Sequence, residues 1–200
     1  MLTMKKNLFI AFEGIDGSGK STLARAVLAA AGGATGVGCV HGYPKATWTL
    51  TPQCSVSFLG KYKTSCGGVD GISPYSLVHQ VLEDQAAKQM DVFAEGLLTP
   101  GLETCQRFAK LYTKAVFIHL DTPEDQCIRN LLPRRAAAGN DKPYDPTHLY
   151  LKTKAARRWA LRLRGGGLDV RTLQWPQAYA ETLALLRISI PDPSTLLGTT

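Results

Sequence analysis

Long apolar runs and paired cysteines are both missing from this sequence of 200 residues, and their absence excludes several classes of protein. No stretch approaches the roughly eighteen apolar residues of a transmembrane helix, so we expect no contact with a membrane. Residues 1–6 are polar and too short for a secretory signal peptide. The five cysteines, at positions 39, 54, 66, 105 and 127, show no C-x-x-C spacing, which disfavours zinc and disulfide sites. We therefore expect a cytoplasmic protein with reduced thiols.

Aromatic residues make up only 8% of the chain and charged residues 20%, whereas hydrophobic residues make up 44%. This composition excludes a disordered or fibrous protein and provides enough apolar side chains for a buried core. The length is that of one domain, which we assign to residues 1–190. Residues 191–200 are expected to form a loose tail.

Acidic residues are scarce in one part of the chain, and the net charge of +7 is concentrated there. The segment 129–171 contains eleven Lys and Arg residues but only three Asp residues, whereas the remainder has twelve basic and thirteen acidic residues. Such a concentration indicates a partner rich in phosphate groups. The alternative is a solvated helix face together with a few arginines that bind a small substrate.

Short apolar runs alternate with helical patterns along most of the chain. The runs predict strands, and the first helix is expected at 21–31, where residues rich in Ala and Leu end at two glycines. Tyr43-Pro44 is expected to end the second strand. The alternation predicts an α/β fold in which a mostly parallel sheet is covered by helices on both faces. The predicted strands are 8–12, 38–41, 54–59, 90–94, 115–120 and 168–173.

Four predicted helix starts share one signal, in which a residue with a side-chain oxygen precedes proline. The oxygen can accept from an orphan amide, and proline at the first helical position gives up no hydrogen bond. The four pairs are Ser73-Pro74, Thr99-Pro100, Thr122-Pro123 and Asp145-Pro146.

The segment Gly14-Ile-Asp-Gly-Ser-Gly-Lys-Ser21 fits the pattern G-x-x-x-x-G-K-[ST] and lies between a predicted strand and a predicted helix. Glycines let the backbone bend around a phosphate with its amides pointing inward, and the helix N-terminus adds its dipole. Lys20 can reach the β- and γ-phosphates, and the Ser21 hydroxyl can bind Mg²⁺. The predicted nucleotide-binding residues are Gly14, Asp16, Gly17, Ser18, Gly19, Lys20, Ser21 and Thr22.

Two further absences narrow the class of nucleotide-binding protein. The chain has no N-K-x-D guanine motif, which disfavours a GTPase. It also has no remote apolar strand that ends in Asp followed by Asp or Glu, which disfavours an AAA-type motor. The short chain, the acidic Asp16 inside the loop and the late arginine-rich segment fit a small kinase.

The segment Phe12–Thr22 closely resembles the phosphate loop of thymidylate kinases. His119–Glu124, followed by Arg129 and Arg134-Arg135, is similar to the fourth strand and the arginine lid of that family, and Tyr43-Pro44 resembles its Phe-Pro after strand two. The resemblance implies a P-loop kinase with ATP as donor and Mg²⁺ as metal. It also implies an arginine lid at about residues 129–145.

The departures from thymidylate kinases bear on the acceptor. That family carries an Asp-Arg pair after the third core strand, where the arginine holds the acceptor phosphate, whereas this chain has Glu95-Gly96. The family's second arginine is also missing, since Lys45-Ala46-Thr47 occupies that region. The insert between Leu59 and Asp70 resembles phage-encoded P-loop kinases, one group of which phosphorylates 5-hydroxymethyluracil within DNA.

Two carboxylates are candidates for the chemistry of transfer. Glu95 is expected at the carboxyl end of a core strand, where it could deprotonate an acceptor hydroxyl or hold Mg²⁺. Asp16 is the second candidate base, and by resemblance it could bind a sugar hydroxyl instead. A capping or salt-bridged Glu95 is the structural alternative.

Arginines and a glycine-rich loop complete the predicted site. Arg129, Arg134 and Arg135 follow a strand and its helix, and Pro133 is expected to break that helix so that the arginines can close on the transferring phosphoryl group. The alternative is a solvated turn. A polar loop after the third strand is a candidate for substrate binding, and Tyr43 is a further one. The candidate loop residues are Lys61, Tyr62, Gly67, Gly68 and Asp70.

Residues 147–164 predict an amphipathic helix with one apolar face and one basic stripe. Lys154, Arg158 and Arg162 form the stripe at i, i+4 and i+8, which can follow a nucleic-acid backbone. The alternative is an ordinary solvated basic helix. The predicted apolar face comprises Leu149, Ala156, Trp159, Ala160 and Leu163.

The sequence therefore predicts an ATP- and Mg²⁺-dependent kinase with three alternatives for its second substrate. A hydroxymethyl pyrimidine within DNA is favoured by the basic segment and by the absence of the arginines that hold a monophosphate. A free deoxynucleoside monophosphate is the second alternative. A nucleic-acid-binding NTPase without an acceptor is the third, and the presence of Asp16, Glu95 and the lid arginines argues against it.

Overall fold

The computed structural model describes residues 7–189 except 53–55, 63–67, 75, 97–100 and 141. The side chains of residues 44–46, 70 and 71 are likewise outside the description. The predicted pair Thr99-Pro100, the predicted site residue Gly67, the Asp70 side chain and the tail 191–200 therefore lie outside the described residues.

Seven strands form one sheet in the order β2-β3-β4-β5-β1-β6-β7. Strands β4, β5, β1, β6 and β7 run parallel to one another, and β3 is antiparallel to both of its neighbours. The strands are β1 Leu8–Glu13, β2 Gly36–Val40, β3 Tyr43–Leu50, β4 Val56–Leu59, β5 Asp91–Glu95, β6 Lys114–Leu120 and β7 Asp169–Leu173.

Six helices and one 3₁₀ segment connect the strands in the described residues. The helices are α1 Lys20–Ala30, α2 Ser76–Ala87, α3 Leu102–Lys110, α4 Glu124–Ala137, α5 Pro146–Gly165 and α6 Trp175–Leu186, and the 3₁₀ segment is Gly68–Gly71. The α/β architecture with a mostly parallel sheet is confirmed.

The central strand β1 is buried along its whole length, and its side chains alternate between two cores. Phe9 and Ala11 pack with residues of α2, α3 and α5 on one face of the sheet. Ile10 and Phe12 pack with residues of α1 and α6 on the other face. Helices therefore cover both faces, as the sequence predicted.

The second strand continues into a hairpin that the sequence did not predict. Tyr43 begins β3 instead of ending β2, and Gly42, with a φ of 79°, lies at the turn. In the sequence, Pro44 after a turn-like Gly-Tyr pair favours a strand end. In the structure, the buried side chains of Thr47, Trp48 and Thr49 hold the segment in the sheet.

Two of the predicted helix starts differ from the structure. Helix α2 begins at Ser76, beyond the cis Ser73-Pro74 bond, so Pro74 is not its first residue. The N-cap position of α4 is Pro123, and the Thr122 hydroxyl donates to the Ser18 carbonyl across the chain. Asp145 does cap α5, because its side chain accepts from the Thr147 amide at 2.9 Å.

The expectation that Pro133 breaks its helix is wrong. Helix α4 runs from Glu124 to Ala137 with Pro133 inside it. Proline in a helix interior removes one backbone hydrogen bond, at a cost of about 3 kcal/mol. The turns of α4 before Pro133 are packed against the phosphate loop and α5, through contacts of Cys127, Ile128 and Leu131 with Ile15, Leu149 and Ala156. Arg129, Arg134 and Arg135 consequently lie on one continuous helix.

Candidate functional site

The phosphate loop joins the carboxyl end of β1 to the N-terminus of α1, at the point where the strand order of the sheet reverses. From β1 the chain continues to β2 on one side of the sheet, whereas from β5 it passes β1 to reach β6 on the other side. A crevice opens where the strand order reverses in this way. Gly17 and Gly19 have φ angles of 79° and 93°, which only glycine adopts readily. The Lys20 ammonium donates to the Gly14 carbonyl at 2.6 Å and to the Ile15 carbonyl at 3.0 Å.

Helix α4 supports this loop from outside. A Cβ atom at Gly17 would lie 2.4 Å from the Cys127 carbonyl oxygen, so the loop and the helix approach backbone to backbone. The Asn130 amide donates to the Gly17 carbonyl at 2.7 Å, and the Thr122 hydroxyl donates to the Ser18 carbonyl at 2.8 Å. These contacts fix the Gly17 and Ser18 carbonyls, and within the loop the Ser18 amide donates to the Ile15 carbonyl at 3.1 Å.

A cavity of about 840 Å³ lies over the phosphate loop and is lined by most of the predicted nucleotide-binding and catalytic residues. It combines loop backbone, one buried carboxylate and several guanidinium groups. Its lining consists of Asp16, Gly17, Ser18, Gly19, Lys20, Ser21, Thr22, Arg25, Glu95, Thr122, Gln126, Arg129, Asn130, Leu131, Pro133, Arg134 and Trp175.

Glu95 lies at the bottom of this cavity beside the first turn of α1. It is the last residue of β5 and only 2% exposed. The Ser21 hydroxyl donates to both of its carboxylate oxygens, at 3.2 Å and 3.3 Å. The strand end and the helix start therefore bring together the two residues that the sequence predicted as metal ligands.

Two glycines bring the predicted loop against Glu95. A Cβ atom at Gly68 would lie 2.5 Å from the Glu95 main-chain oxygen and 2.6 Å from its Oε1 atom. A Cβ atom at Gly60 would lie 2.0 Å from the Gly68 carbonyl oxygen. Val69 and Ile72 anchor the segment in the core. Gly68 thus covers the carboxylate, and no larger residue fits there without a shift.

Asp16 also lines the cavity and forms an ion pair with Lys152 of α5. Its side chain is 56% exposed, so it is open to a ligand. Partial burial raises the pKa of Asp16, but the hydrogen bond and charge of Lys152, with smaller contributions from Lys20 and His148, outweigh this and lower the pKa. The carboxyl group is ionised at neutral pH.

The three predicted lid arginines do not share one environment. Arg129 and Arg134 line the cavity, and Arg129 also pairs with Asp125 at 2.7 Å. Arg135 points elsewhere, since it donates to the Lys142 carbonyl at 2.9 Å and lies over the Tyr144 ring.

The predicted acceptor residues lie outside the cavity lining. Lys154, Arg158 and Arg162 are exposed on the outer face of α5, whose predicted apolar face is buried. Tyr43 is 44% exposed at the start of β3. Of the loop residues, Lys61 is exposed and Tyr62 packs edge-on against the Phe58 ring.

Arg25 and Trp175 line the cavity and were not predicted. Trp175 stacks on Tyr179 at 5.5 Å, and its ring lies 3.0 Å from where a Gly19 Cβ would be. One signal could have indicated it: Trp175 closely follows the last strand, and the carboxyl ends of parallel strands share one edge. Arg25 lies one turn beyond the phosphate loop, where helical spacing returns it to the cavity.

The described residues contain no group of three or more His, Cys, Asp or Glu side chains arranged to hold a metal ion. In the same part of the chain, no helix combines the length and apolar character needed to cross a membrane.

Comparison with known proteins adds one relative. No protein-family model matches the chain. A curated protein of Pseudomonas phage PaMx11, named 5-hmdU DNA kinase, is 28% identical over 185 residues, and the match covers 84% of this chain and 90% of that protein. The similarity confirms the predicted resemblance to phage-encoded kinases and supports the prediction of a phosphotransferase.

Proposed function

We propose that the protein is a kinase that transfers the γ-phosphoryl group of ATP to the hydroxymethyl group of 5-hydroxymethyluracil within DNA. The observation that carries this proposal is the phosphate loop at the centre of the sheet. Within this loop, Lys20 donates to the Gly14 carbonyl and Ser21 donates to the Glu95 carboxylate. The phage relative named 5-hmdU DNA kinase supports the acceptor.

The loop fits the phosphates of a nucleotide. Its glycines have φ angles that turn the backbone around a ligand, and the buried Ser18 hydroxyl has no hydrogen-bond partner in the described part of the chain. Lys20 now donates to loop carbonyls, from which it can turn to phosphate oxygens. The Trp175 ring lies beside Gly19, where an aromatic face suits the purine base.

Ser21 and Glu95 fit a Mg²⁺ ion at the phosphates. A hydroxyl and a carboxylate are hard oxygen donors, and Mg²⁺ usually takes few protein ligands beside phosphate and water. When bound, Mg²⁺ neutralises charge on the β- and γ-phosphates. Because Glu95 is buried against Ser21, we assign it to the metal, directly or through water.

We assign Asp16 as the base that accepts the proton of the acceptor hydroxyl. Its carboxylate is ionised and more exposed than that of Glu95, so an acceptor hydroxyl can reach it. The acceptor oxygen attacks the γ-phosphorus, the bond to the β–γ bridging oxygen breaks and ADP departs, while the hydroxyl proton passes to Asp16. Arg129 and Arg134 line the cavity where they can neutralise charge on the phosphoryl group.

DNA as the carrier of the acceptor is supported by charge. The stripe of Lys154, Arg158 and Arg162 is exposed, and α5 also contacts the phosphate loop through Lys152. The hydroxymethyl group lies in the major groove beside the position of the thymine methyl.

A free deoxynucleoside monophosphate remains a second candidate because of one observation. The cavity contains Arg25 as well as Arg129 and Arg134, and three guanidinium groups could hold a monophosphate without the arginines of thymidylate kinases.

One experiment separates the candidates. ATP labelled at the γ-position is offered to duplex DNA containing 5-hydroxymethyluracil, to the same duplex with thymine, and to free thymidylate and hydroxymethyldeoxyuridylate. We expect label only on the first duplex and none with Lys20→Ala. Label on the free nucleotides would support the second candidate, and release of labelled phosphate without an acceptor would indicate an NTPase.

A further inference from the structure

Helix α5 is tied to the functional edge of the sheet by two ion pairs. Lys152 pairs with Asp16 of the phosphate loop, and Arg157 pairs with Asp121, which follows β6, at 3.0 Å. The outer face of the same helix carries the exposed basic stripe. One helix thus connects the surface proposed for DNA with the acidic residue of the phosphate loop.

The Lys152–Asp16 pair joins two residues that are distant in sequence, and its position is fixed by the packing of α5. It joins residues 136 positions apart, and the buried Leu149 and Ala156 of α5 fix the helix against Ile15 and Cys127 beside the loop. The Lys152 and Asp16 side chains are 42% and 56% exposed, so a substrate can reach the carboxylate while the lysine stays in contact.

We propose that Lys152 is the positioning residue for Asp16, orienting its carboxylate toward the acceptor hydroxyl. This inference rests on the proposed function of Asp16 as the group that accepts the hydroxyl proton. Without Lys152, the carboxylate is free to rotate toward solvent or toward Lys20. A displacement of about 1 Å at a reacting group can cost on the order of a hundredfold in rate.

The remaining charged and titratable groups around Asp16 do not replace Lys152. Lys20 is held by two loop carbonyls, and it is needed by the phosphates in the proposed mechanism. His148 contributes less than Lys152 to the lowered pKa of Asp16. Tyr144 and Cys127 also lie near Asp16, and the pKa of each is raised, so both are neutral at pH 7.

The test compares five proteins at saturating ATP and hydroxymethyluracil DNA: the unaltered chain, Lys152→Met, Lys152→Arg, Asp16→Asn and the double variant of Lys152→Met with Asp16→Asn. Lys152→Met should lower kcat about tenfold or more with a small change in KM for ATP. The double variant should be no slower than Asp16→Asn, because the lysine acts only through the carboxylate. Lys152→Arg should restore part of the loss.

A pH profile gives a readout that a merely structural role would not move. Loss of Lys152 raises the pKa of Asp16, so kcat at pH 5 relative to pH 7.5 should fall in Lys152→Met. The matched control is Arg157→Met, which removes the other ion pair of α5 and should leave kcat and its pH profile unchanged.

The outcomes distinguish this inference from the proposed function. The inference is overturned if Lys152→Met has a normal kcat, or if the fold-loss of kcat in the double variant is the product of the two single losses. Either result leaves the proposed function intact as long as the unaltered chain transfers the phosphoryl group to DNA. If the unaltered chain transfers nothing to DNA, the proposed function fails. NMR titration of the Asp16 carboxyl then still tests the ion pair: an unchanged Asp16 pKa in Lys152→Met would overturn it.

Discussion

Single residues around the cavity owe their roles to position in the fold as much as to chemical type. Glu95 is buried at a strand end and is bound by the Ser21 hydroxyl, whereas Asp16 is half exposed and is bound by Lys152. The same carboxyl chemistry is therefore placed once beside the proposed metal and once beside the proposed acceptor. The sequence identified both residues but left the choice of base open, because spacing does not show which neighbour each carboxylate meets.

Glu95→Gln tests the assignment of Glu95 to the metal. Loss of the charge should weaken ATP binding at ordinary Mg²⁺ concentration, and binding should recover when Mg²⁺ is raised. The measurement is the apparent Kd for ATP across a Mg²⁺ titration. If turnover falls while ATP affinity stays constant at every Mg²⁺ concentration, Glu95 is the base and the assignment is wrong.

Gly68→Ala tests the contact that covers Glu95. Both the positive φ of 76° and the 2.6 Å approach to Oε1 oppose a side chain, so we expect a loss of more than about 2 kcal/mol in the free energy of unfolding. Gly167→Ala is the matched control, because Gly167 has a φ of 83° but nothing within 4 Å. Its loss should be only about 1 kcal/mol.

Denaturant titration of both glycine variants gives these free energies. The Mg²⁺ concentration needed for half-maximal activity should rise in Gly68→Ala and stay constant in Gly167→Ala. Equal losses of stability in the two variants would show that Gly68 has no special contact with Glu95.

At the scale of elements, apolar periodicity predicted most of the sheet and the buried face of α5. Leu149, Trp159 and Leu163 are buried as expected. Their spacing places them on one face of the helix, and this follows from the sequence without knowledge of the element against which the face packs. Strand β3 was not predicted because Pro44 near its start indicated a strand end. The burial of Thr47, Trp48 and Thr49, which holds this strand in the sheet, depends on tertiary contacts. The continuity of α4 through Pro133 likewise depends on packing against the phosphate loop and α5.

Charge reversal on α5 tests the outer face of that helix. Changing Lys154, Arg158 and Arg162 to Glu should weaken binding to DNA of any sequence and leave ATP binding intact. If these residues contact phosphates of a duplex, the plot of log Kd against log salt should lose about 0.9 of slope for each contact removed. Fluorescence anisotropy at several salt concentrations measures this slope.

The control for that variant carries the same change of charge on α3 and at the start of β6. Arg107 and Lys110 lie on α3, and Lys114 begins β6 at the end remote from the phosphate loop. Reversal of these three residues should alter DNA affinity and its salt dependence much less. Equal effects in the two triple variants would mean that net charge, and not the α5 stripe, governs binding.

At the scale of the whole molecule, a parallel sheet with β1 at its centre places the phosphate loop, Glu95 and the start of α6 around one crevice. The phosphate loop, the α/β class and the position of Glu95 could be predicted from the sequence, since they follow from a local motif and strand ends. Trp175, Arg25 and the Lys152–Asp16 pair could not, because they depend on which distant elements meet at that crevice.

The most direct test of the account is the location and stoichiometry of the transferred phosphoryl group. A duplex with one 5-hydroxymethyluracil and blocked 5′ ends is incubated with γ-labelled ATP, digested to nucleosides and analysed by mass spectrometry. The account predicts one phosphoryl group for each modified base, attached to the hydroxymethyl oxygen. Efficient labelling of free thymidylate, with no phosphoryl group on the modified base of the duplex, would contradict it.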